Sequence, residues 1–235
     1  TIRQILNSNA ISAMAALTEA NRPIRLRLSH DQGVADDLLL VKQVSGVESV
    51  CGGLRYELRC VSSQANLPIK HFIAMPAELQ FVTDRGTMRS VCGIVDSVAA
   101  GEADGGLATY QLIVRDALSI MDKGSRSRIF RNKNEIDITA EILGEWRQNN
   151  QILARAFDFS LWHLKTGYPR REFTMQHNES DAAFLRRLWR RRGLAWFFQA
   201  GDASAGGGDE TPAHTLVLFD DAGALEQNAA GSVRF

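Results

Sequence analysis

Two stretches hold side chains dense enough to suggest chemistry. Glu179 and Asp181 stand two residues apart, and a close pair of carboxylates is what acid–base attack on a glycosidic bond requires. Shortly after comes RRLWRRR at 186–192, where Arg186, Arg187, Arg190, Arg191 and Arg192 surround Leu188 and Trp189. Arginine forks match phosphate oxygens and tryptophan stacks on bases, so a nucleic-acid surface is one reading. A plainer reading is favoured for both. Acids at the start of a helix and cations at its end complement its dipole. Leu185 and Leu188 already commit one face of that helix to a core.

No other pattern for chemistry stands out. His30, His71, His163, His177 and His214 fall in five separate segments without an HExxH or a His/Cys cluster, so no metal is expected. GGG at 206–208 is not followed by Lys and Ser or Thr, and no GxGxxG follows a strand, so no nucleotide or other cofactor is expected. GSRSR (124–128) and GSVRF (231–235) lack the strand-turn-helix setting of a nucleophilic serine. Cys51, Cys60 and Cys92 are too few for a disulfide framework and form no CxxC. Lying in or beside strand-like runs, all three read as buried free thiols in a reducing cytoplasm.

The composition sets the class. The chain has 235 residues, 45% apolar and 23% charged, which fits a globular protein and excludes disorder, collagen and coiled coil as whole-chain descriptions. No run approaches the ~20 apolar residues of a membrane-spanning helix. The helix-like start, TIRQILNSNAISAMAALTEA, lacks the basic-then-apolar order of a secretory signal. Net charge is zero, but its distribution is uneven. Residues 1–119 carry 11 basic and 12 acidic side chains, 120–192 carry 15 and 9, and 193–235 carry 1 and 6. A basic middle beside an acidic tail suits contact within or between subunits.

Elements that would position these residues follow from periodicity. Ile24, Leu26 and Leu28 alternate with polar residues, LLLV occupies 38–41, and Leu54, Tyr56, Leu58 and Cys60 share one face of 54–62. Residues 77–99 read as a hairpin turning at Asp84-Arg85-Gly86, with Gly93 a bulge or tight bend. GEADGG (101–106) reads as a loop and 107–118 as a further strand. Strands without intervening helices predict an antiparallel barrel over 21–118, with Leu54, Tyr56, Leu58, Leu79, Phe81, Val91, Leu112 and Val114 mostly inward. Beyond residue 119 the pattern is α+β. Asp137 reads as the N-cap of a helix presenting Ile138, Ile142, Leu143 and Trp146. REFTMQ (171–176) reads as a strand, and 178–181 opens a helix that ends at Gly193. LAWFFQ (194–199) reads as a buried strand, 201–212 as a loop, and HTLVLFDD as a closing hairpin arm.

The order of motifs then carries a resemblance. GVESVCGGLRYELRCVSS, containing Tyr56, resembles the opening of the VgrG proteins, the spikes of bacterial type VI secretion systems, themselves similar to phage tail hubs. Val-Cys-Gly93-Ile-Val, Tyr110-Gln-Leu-Ile-Val and Ser127-Arg128-Ile-Phe130 follow in family order. The longest match runs from Tyr168-Pro169-Arg-Arg171 through Gln176 and Glu179-Ser180-Asp181 to Phe184-Leu-x-Arg187-Leu188 and Gly193. It covers about residues 24–221. Departures are His177, where an aromatic is usual, Arg192, where Glu is usual, and Ala195-Trp196.

The resemblance implies a phage tail hub-like barrel, with an N-terminal extension and a tube-forming barrel domain at 1–118. An α+β domain at 119–235 runs into a truncated second barrel. It implies a homotrimer that docks on a hexameric tube protein, carries secreted effectors, and meets a target membrane only as the assembled spike. Such a protein assembles in the bacterial cytoplasm and is then injected into the target cell. No catalysis and no nucleic acid are expected. The motif residues have a physical reading as fold-specifying positions, with Tyr168-Pro169 an extended entry and Asn178 or Ser180 a helix cap. The arginines are expected to serve protein contacts, with the acidic 202–226 segment as one partner and Arg187 partly buried against a carboxylate. A phage late-control hub, a wall-degrading tail enzyme and a nucleic-acid module are the alternatives.

Overall fold

The computed structural model describes residues 22–30, 33–35, 38–82, 88–104, 106–165, 167–201 and 213–226. The helix-like start, the turn at 84–86 and the loop at 202–212 lie outside them.

Seven antiparallel strands form a curled half-barrel sheet. They are β1 (Ile24–His30), β2 (Gly33–Ala35), β3 (Leu40–Ser49), β4 (Gly53–Ser62), β5 (Pro76–Val82), β6 (Met88–Asp104) and β7 (Leu107–Arg115). Their order is β2-β1-β5-β6-β7-β4-β3. Alternation places Leu26, Leu28, Leu54, Tyr56, Leu58, Leu79, Val91, Leu112 and Val114 in one buried core, with Phe81 half-buried at its margin. Residues 69–72 form a 3₁₀ turn, and among the described residues no α-helix interrupts these strands. Where the sheet stays open between β1 and β3, Arg22 Nη1 donates to Val41 O at 2.7 Å.

The second half follows. Helix α1 (Ala117–Met121) leads to β8 (Arg126–Lys133), α2 (Glu135–Asn149), α3 (Gln151–Ala156) and β9 (Phe157–His163). Then come β10 (Arg171–Glu179), α4 (Asp181–Arg192), β11 (Ala195–Ala200) and β12 (His214–Phe219). β8 and β10 make a two-stranded antiparallel ribbon, while β11, β12 and β9 make a three-stranded sheet in that order. A second core gathers Leu118, Phe130, Ile138, Ile142, Phe184, Leu188, Trp189, Trp196 and Leu218, together with Ile94 from the outer face of β6. The two halves are tied where Cys51 N–H donates to Trp196 O at 2.8 Å, and α1 is held to β12 where Ala117 N–H donates to His214 Nε2 at 2.9 Å.

Several expectations need correction. Gly93 is neither bulge nor bend: it pairs regularly with Ala77, and the register shift falls between Val95 and Ser97. A Cβ there would lie 2.7 Å from Val114 Cγ1 and 2.8 Å from Arg115 O, so the position needs glycine for close approach. GEADGG is largely strand, because β6 runs on to Asp104. The strand expected over 107–118 ends at Arg115, and 117–118 open α1. The N-cap of α2 is Asn134, whose side chain accepts from Asp137 N while Asp137 accepts from Asn134 N, a reciprocal capping box. β12 is the antiparallel arm expected beside β11, but it does not close the sheet, because it also pairs in parallel with β9. Cys60 and Cys92 are buried, but Cys51 is exposed, because it occupies the β3–β4 turn with φ 61°.

Candidate functional site

The residues that carried the resemblance fall into two groups. In the half-barrel, the Tyr56 ring covers Gly46, where a Cβ would lie 2.1 Å from Cδ1. Its hydroxyl donates to Glu48, and burial followed by that carboxylate raises its pKa. Tyr110 OH accepts from Leu67 N at 3.1 Å and donates to Gln64 O at 3.0 Å, pinning the connection after β4. Gly93 admits Val114 as described above.

The second group converges behind the β8–β10 ribbon. Arg128 reaches inward from β8 and spends its guanidinium on three partners. Nε donates to Gln176 Oε1 at 3.0 Å, Nη1 to Glu145 Oε2 at 2.6 Å, and Nη2 to Asp181 Oδ1 at 2.7 Å. Gln176 Nε2 also donates to Asp181 Oδ1 at 2.8 Å and to Glu179 O at 3.0 Å. Trp146 Nε1 donates to Asp181 Oδ2 at 2.8 Å. Asp181 and Gln176 are buried, so these bonds answer the cost of withdrawing a carboxylate and an amide from water.

Local structure explains the convergence. The β8–β10 register slips between Gln176 and Glu179, and Asn178 takes φ 47°. That irregularity turns the chain from strand to helix, with Ser180 capping α4 through Ala183 N at 3.0 Å. Gly193, at φ 72°, ends the helix in the left-handed region. Phe130 and Phe184 stack at 5.6 Å beneath the ribbon, and Leu188 is buried beside them.

A second buried carboxylate anchors the other end. Glu135 lies 2.8 Å from Arg171 Nε and 2.8 Å from Arg192 Nε. Burial opposes its ionisation, but the Arg192 and Arg171 guanidiniums beside it outweigh burial and hold the carboxyl below its ordinary pKa. Tyr168, extended ahead of Pro169, donates from its hydroxyl to Asp220 Oδ2 at 2.9 Å and accepts at its carbonyl from Asn134 Nδ2 at 3.2 Å.

Both carboxylates of the Glu179 and Asp181 pair are held by donors. Arg187 holds both Glu179 oxygens, at 2.5 and 3.1 Å, and Asp181 is saturated by donors. Among the described residues no group of His, Cys, Asp and Glu is gathered as for a metal ion. The arginine helix is mostly committed too. Arg186 pairs with Asp122 at 2.7 Å, Arg187 with Glu179 and Arg192 with Glu135. Their partners therefore lie on other elements, and two acids of 202–226 are engaged elsewhere: Asp220 accepts from Tyr168, and Asp221 pairs with Lys165. Arg187 is 47% exposed, and the more enclosed arginine of the site is the half-buried Arg128.

Sequence reasoning missed Glu135, Glu145, Asn134 and Trp146 as members of this lattice. Trp146 read only as a core residue, and nothing local marks a carboxylate whose partner lies tens of residues away.

Comparison with known proteins follows from this fold. Residues 47–235 match the family described as phage tail baseplate hub (GPD). The type VI secretion system spike protein VgrG4b of Pseudomonas aeruginosa is 34% identical over 183 residues, 78% of this chain and 20% of that protein. The chain thus spans about a fifth of that relative's length. The E. coli c3393 protein, described as a type VI secretion component similar in structure to the T4 tail proteins gp27 and gp5, superposes with a TM-score of 0.66 at 22% identity. It covers 86% of this chain and 50% of that one. The Francisella PdpA–VgrG complex gives a TM-score of 0.56 at 14% identity over 85% of this chain and 28% of that one. The chain belongs to the phage tail baseplate hub family and counts VgrG spike proteins of type VI secretion systems among its relatives.

Proposed function

We propose that this chain is the head of a contractile-injection spike and works by assembly rather than by catalysis. Three copies form a ring that seats on a hexameric tube protein. The assembled spike carries effectors and is driven through a target membrane when a sheath contracts. The protein assembles in the bacterial cytoplasm and leaves it by injection, and no described helix is long and apolar enough to cross a membrane. One observation carries the reading: the family-motif residues converge on a hydrogen-bonded lattice around Arg128 and the buried Asp181 and Gln176. Such a lattice fixes shape and leaves no group free to react. The division near residues 118 and 119 into a tube-forming barrel and an α+β part belongs to this proposal, and the two apolar cores support it. Arg128, Phe130, Arg171, Gln176, Glu179, Asp181, Phe184, Arg187 and Leu188 are proposed as fold-setting positions.

A phage tail hub is the second reading, favoured by the family description itself. The test is deletion of the gene in its host. Loss of tube-protein release into the medium, restored by the complete gene product, supports the secretion reading. Normal release without the gene, or turnover of peptidoglycan by the purified protein, contradicts it.

A further inference from the structure

The β8–β10 ribbon hides a polar lattice on one side and presents an apolar surface on the other. Met175 stands directly opposite Ile129, and Phe173 opposite Arg131. Alternation turns these four side chains to the outward face. Ile129 is 53%, Phe173 49% and Met175 40% exposed. Among the described residues no further strand pairs with either edge of the ribbon.

Arginines unpaired among the described residues lie beside this apolar centre, while the acids nearest in sequence are the exposed Glu172 and the Arg187-paired Glu179. Arg131 flanks it on β8. On the β10 side, Arg187 Nη2 donates to Met175 O at 3.0 Å, joining the exposed face of α4 to the ribbon edge. That face continues with Arg190 and Arg191, both exposed. Arg131, Arg190 and Arg191 make no ion pair among the described residues, and Glu179 is the one acid paired there, with Arg187. The ribbon cannot collapse to hide its apolar side chains, because Arg128 and Gln176 lock its back.

We propose that the outward face of the β8–β10 ribbon, with Arg187, Arg190 and Arg191, is a docking surface for a different protein. The docking segment of that partner is acidic and carries apolar anchors. Charge complementarity decides the occupant. Arg131 and Arg187 beside Ile129, Phe173 and Met175, with Arg190 and Arg191 further along α4, combine an apolar centre with an arginine rim of the kind found at binding hot spots. A nucleic acid would use the cations and leave the apolar centre uncovered, while an acidic amphipathic segment satisfies both. The inference rests on the assembly reading and adds to it a face for a further component.

The test places p-benzoyl-phenylalanine at position 173 of the complete gene product in its host, with Ile73 as an exposed control position. The expected result is a light-dependent cross-link from position 173 to another protein, through a peptide rich in Asp or Glu and apolar residues. Combined Arg131→Glu, Arg190→Glu and Arg191→Glu should cut its yield about tenfold. Lysines in place of the partner's carboxylates should restore it. Cross-links only to another copy of this chain, to nucleic acid or to lipid overturn the proposal. So does no cross-link beyond that at position 73, or a yield indifferent to charge reversal. Self-association, measured in parallel by mass, reports on the assembly reading alone: if it is lost while the cross-link persists, that reading fails and the docking surface stands.

Discussion

Arg128 and Asp181 meet across 53 residues of sequence, Nη2 to Oδ1 at 2.7 Å, and both also bind Gln176. The pair joins a strand to the first residue of a helix and fixes the ribbon against α2 and α4. Removing Arg128 leaves the buried Asp181 with only the more distant Arg126, at 3.7 Å, as a cation, which costs more than losing a surface pair.

Arg128→Ala should therefore destabilise the protein by about 3–5 kcal/mol. Arg187→Ala removes a half-exposed pair and should cost at most about 1 kcal/mol. Denaturant unfolding of the two variants checks the order. Equal losses would show that burial of Asp181 does not set the energetics.

Gly93→Ala should cost about 1–3 kcal/mol, because Val114 and the Arg115 carbonyl must move to admit a methyl group. Thermal unfolding measures this. Unchanged stability would mean that β6 and β7 separate without strain.

His214 predicts a pH dependence. It is fully buried between Phe157 and Phe198, and burial lowers its pKa from 6.5 to about 4. Nε2 accepts from Ala117 N–H, a bond that protonation forbids. A basic group whose folded pKa is depressed contributes stability above its unfolded pKa and loses it as pH falls. The loss between pH 6.5 and 4 should approach about 3 kcal/mol. Asp116 acts in the opposite direction, since burial raises its pKa and proton uptake there favours the folded state. Comparison with His214→Gln, in which Asp116 is unchanged, isolates the histidine. The variant should show the shallower acid slope, and identical slopes would contradict the assignment.

Residues 1–235 on their own should associate weakly, as monomers or in a concentration-dependent equilibrium. The chain spans only 20% of the VgrG4b relative, and association must overcome several kcal/mol of lost rigid-body freedom. Mass photometry across nanomolar to micromolar concentrations checks this. A trimer persisting at nanomolar concentration would contradict it.

The half-barrel was legible because its strands obey period two. Leu54, Tyr56 and Leu58 declare an inward face whatever lies elsewhere in the chain. β8 was not legible, since its central inward positions are Arg128 and Phe130, and an inward arginine spoils the alternation. Glu78 and Gln80 on β5 are buried although their positions face away from the barrel core. Arg27 and Ser90 bind Glu78, at 3.0 and 2.6 Å. Helix α4 was readable from its cap, stripe and terminal glycine, all local features. The lattice behind the ribbon was not, because each bond pairs residues that only the fold brings together.

The central claim is that this chain acts as one subunit of a ring seated on a tube. The most direct measurement is electron microscopy and native mass of the complete gene product mixed with the tube protein from the same host. The account predicts particles with three copies of this chain and threefold symmetry, capping the end of a tube-protein ring. Monomers that leave the ring uncapped at micromolar concentration would contradict it.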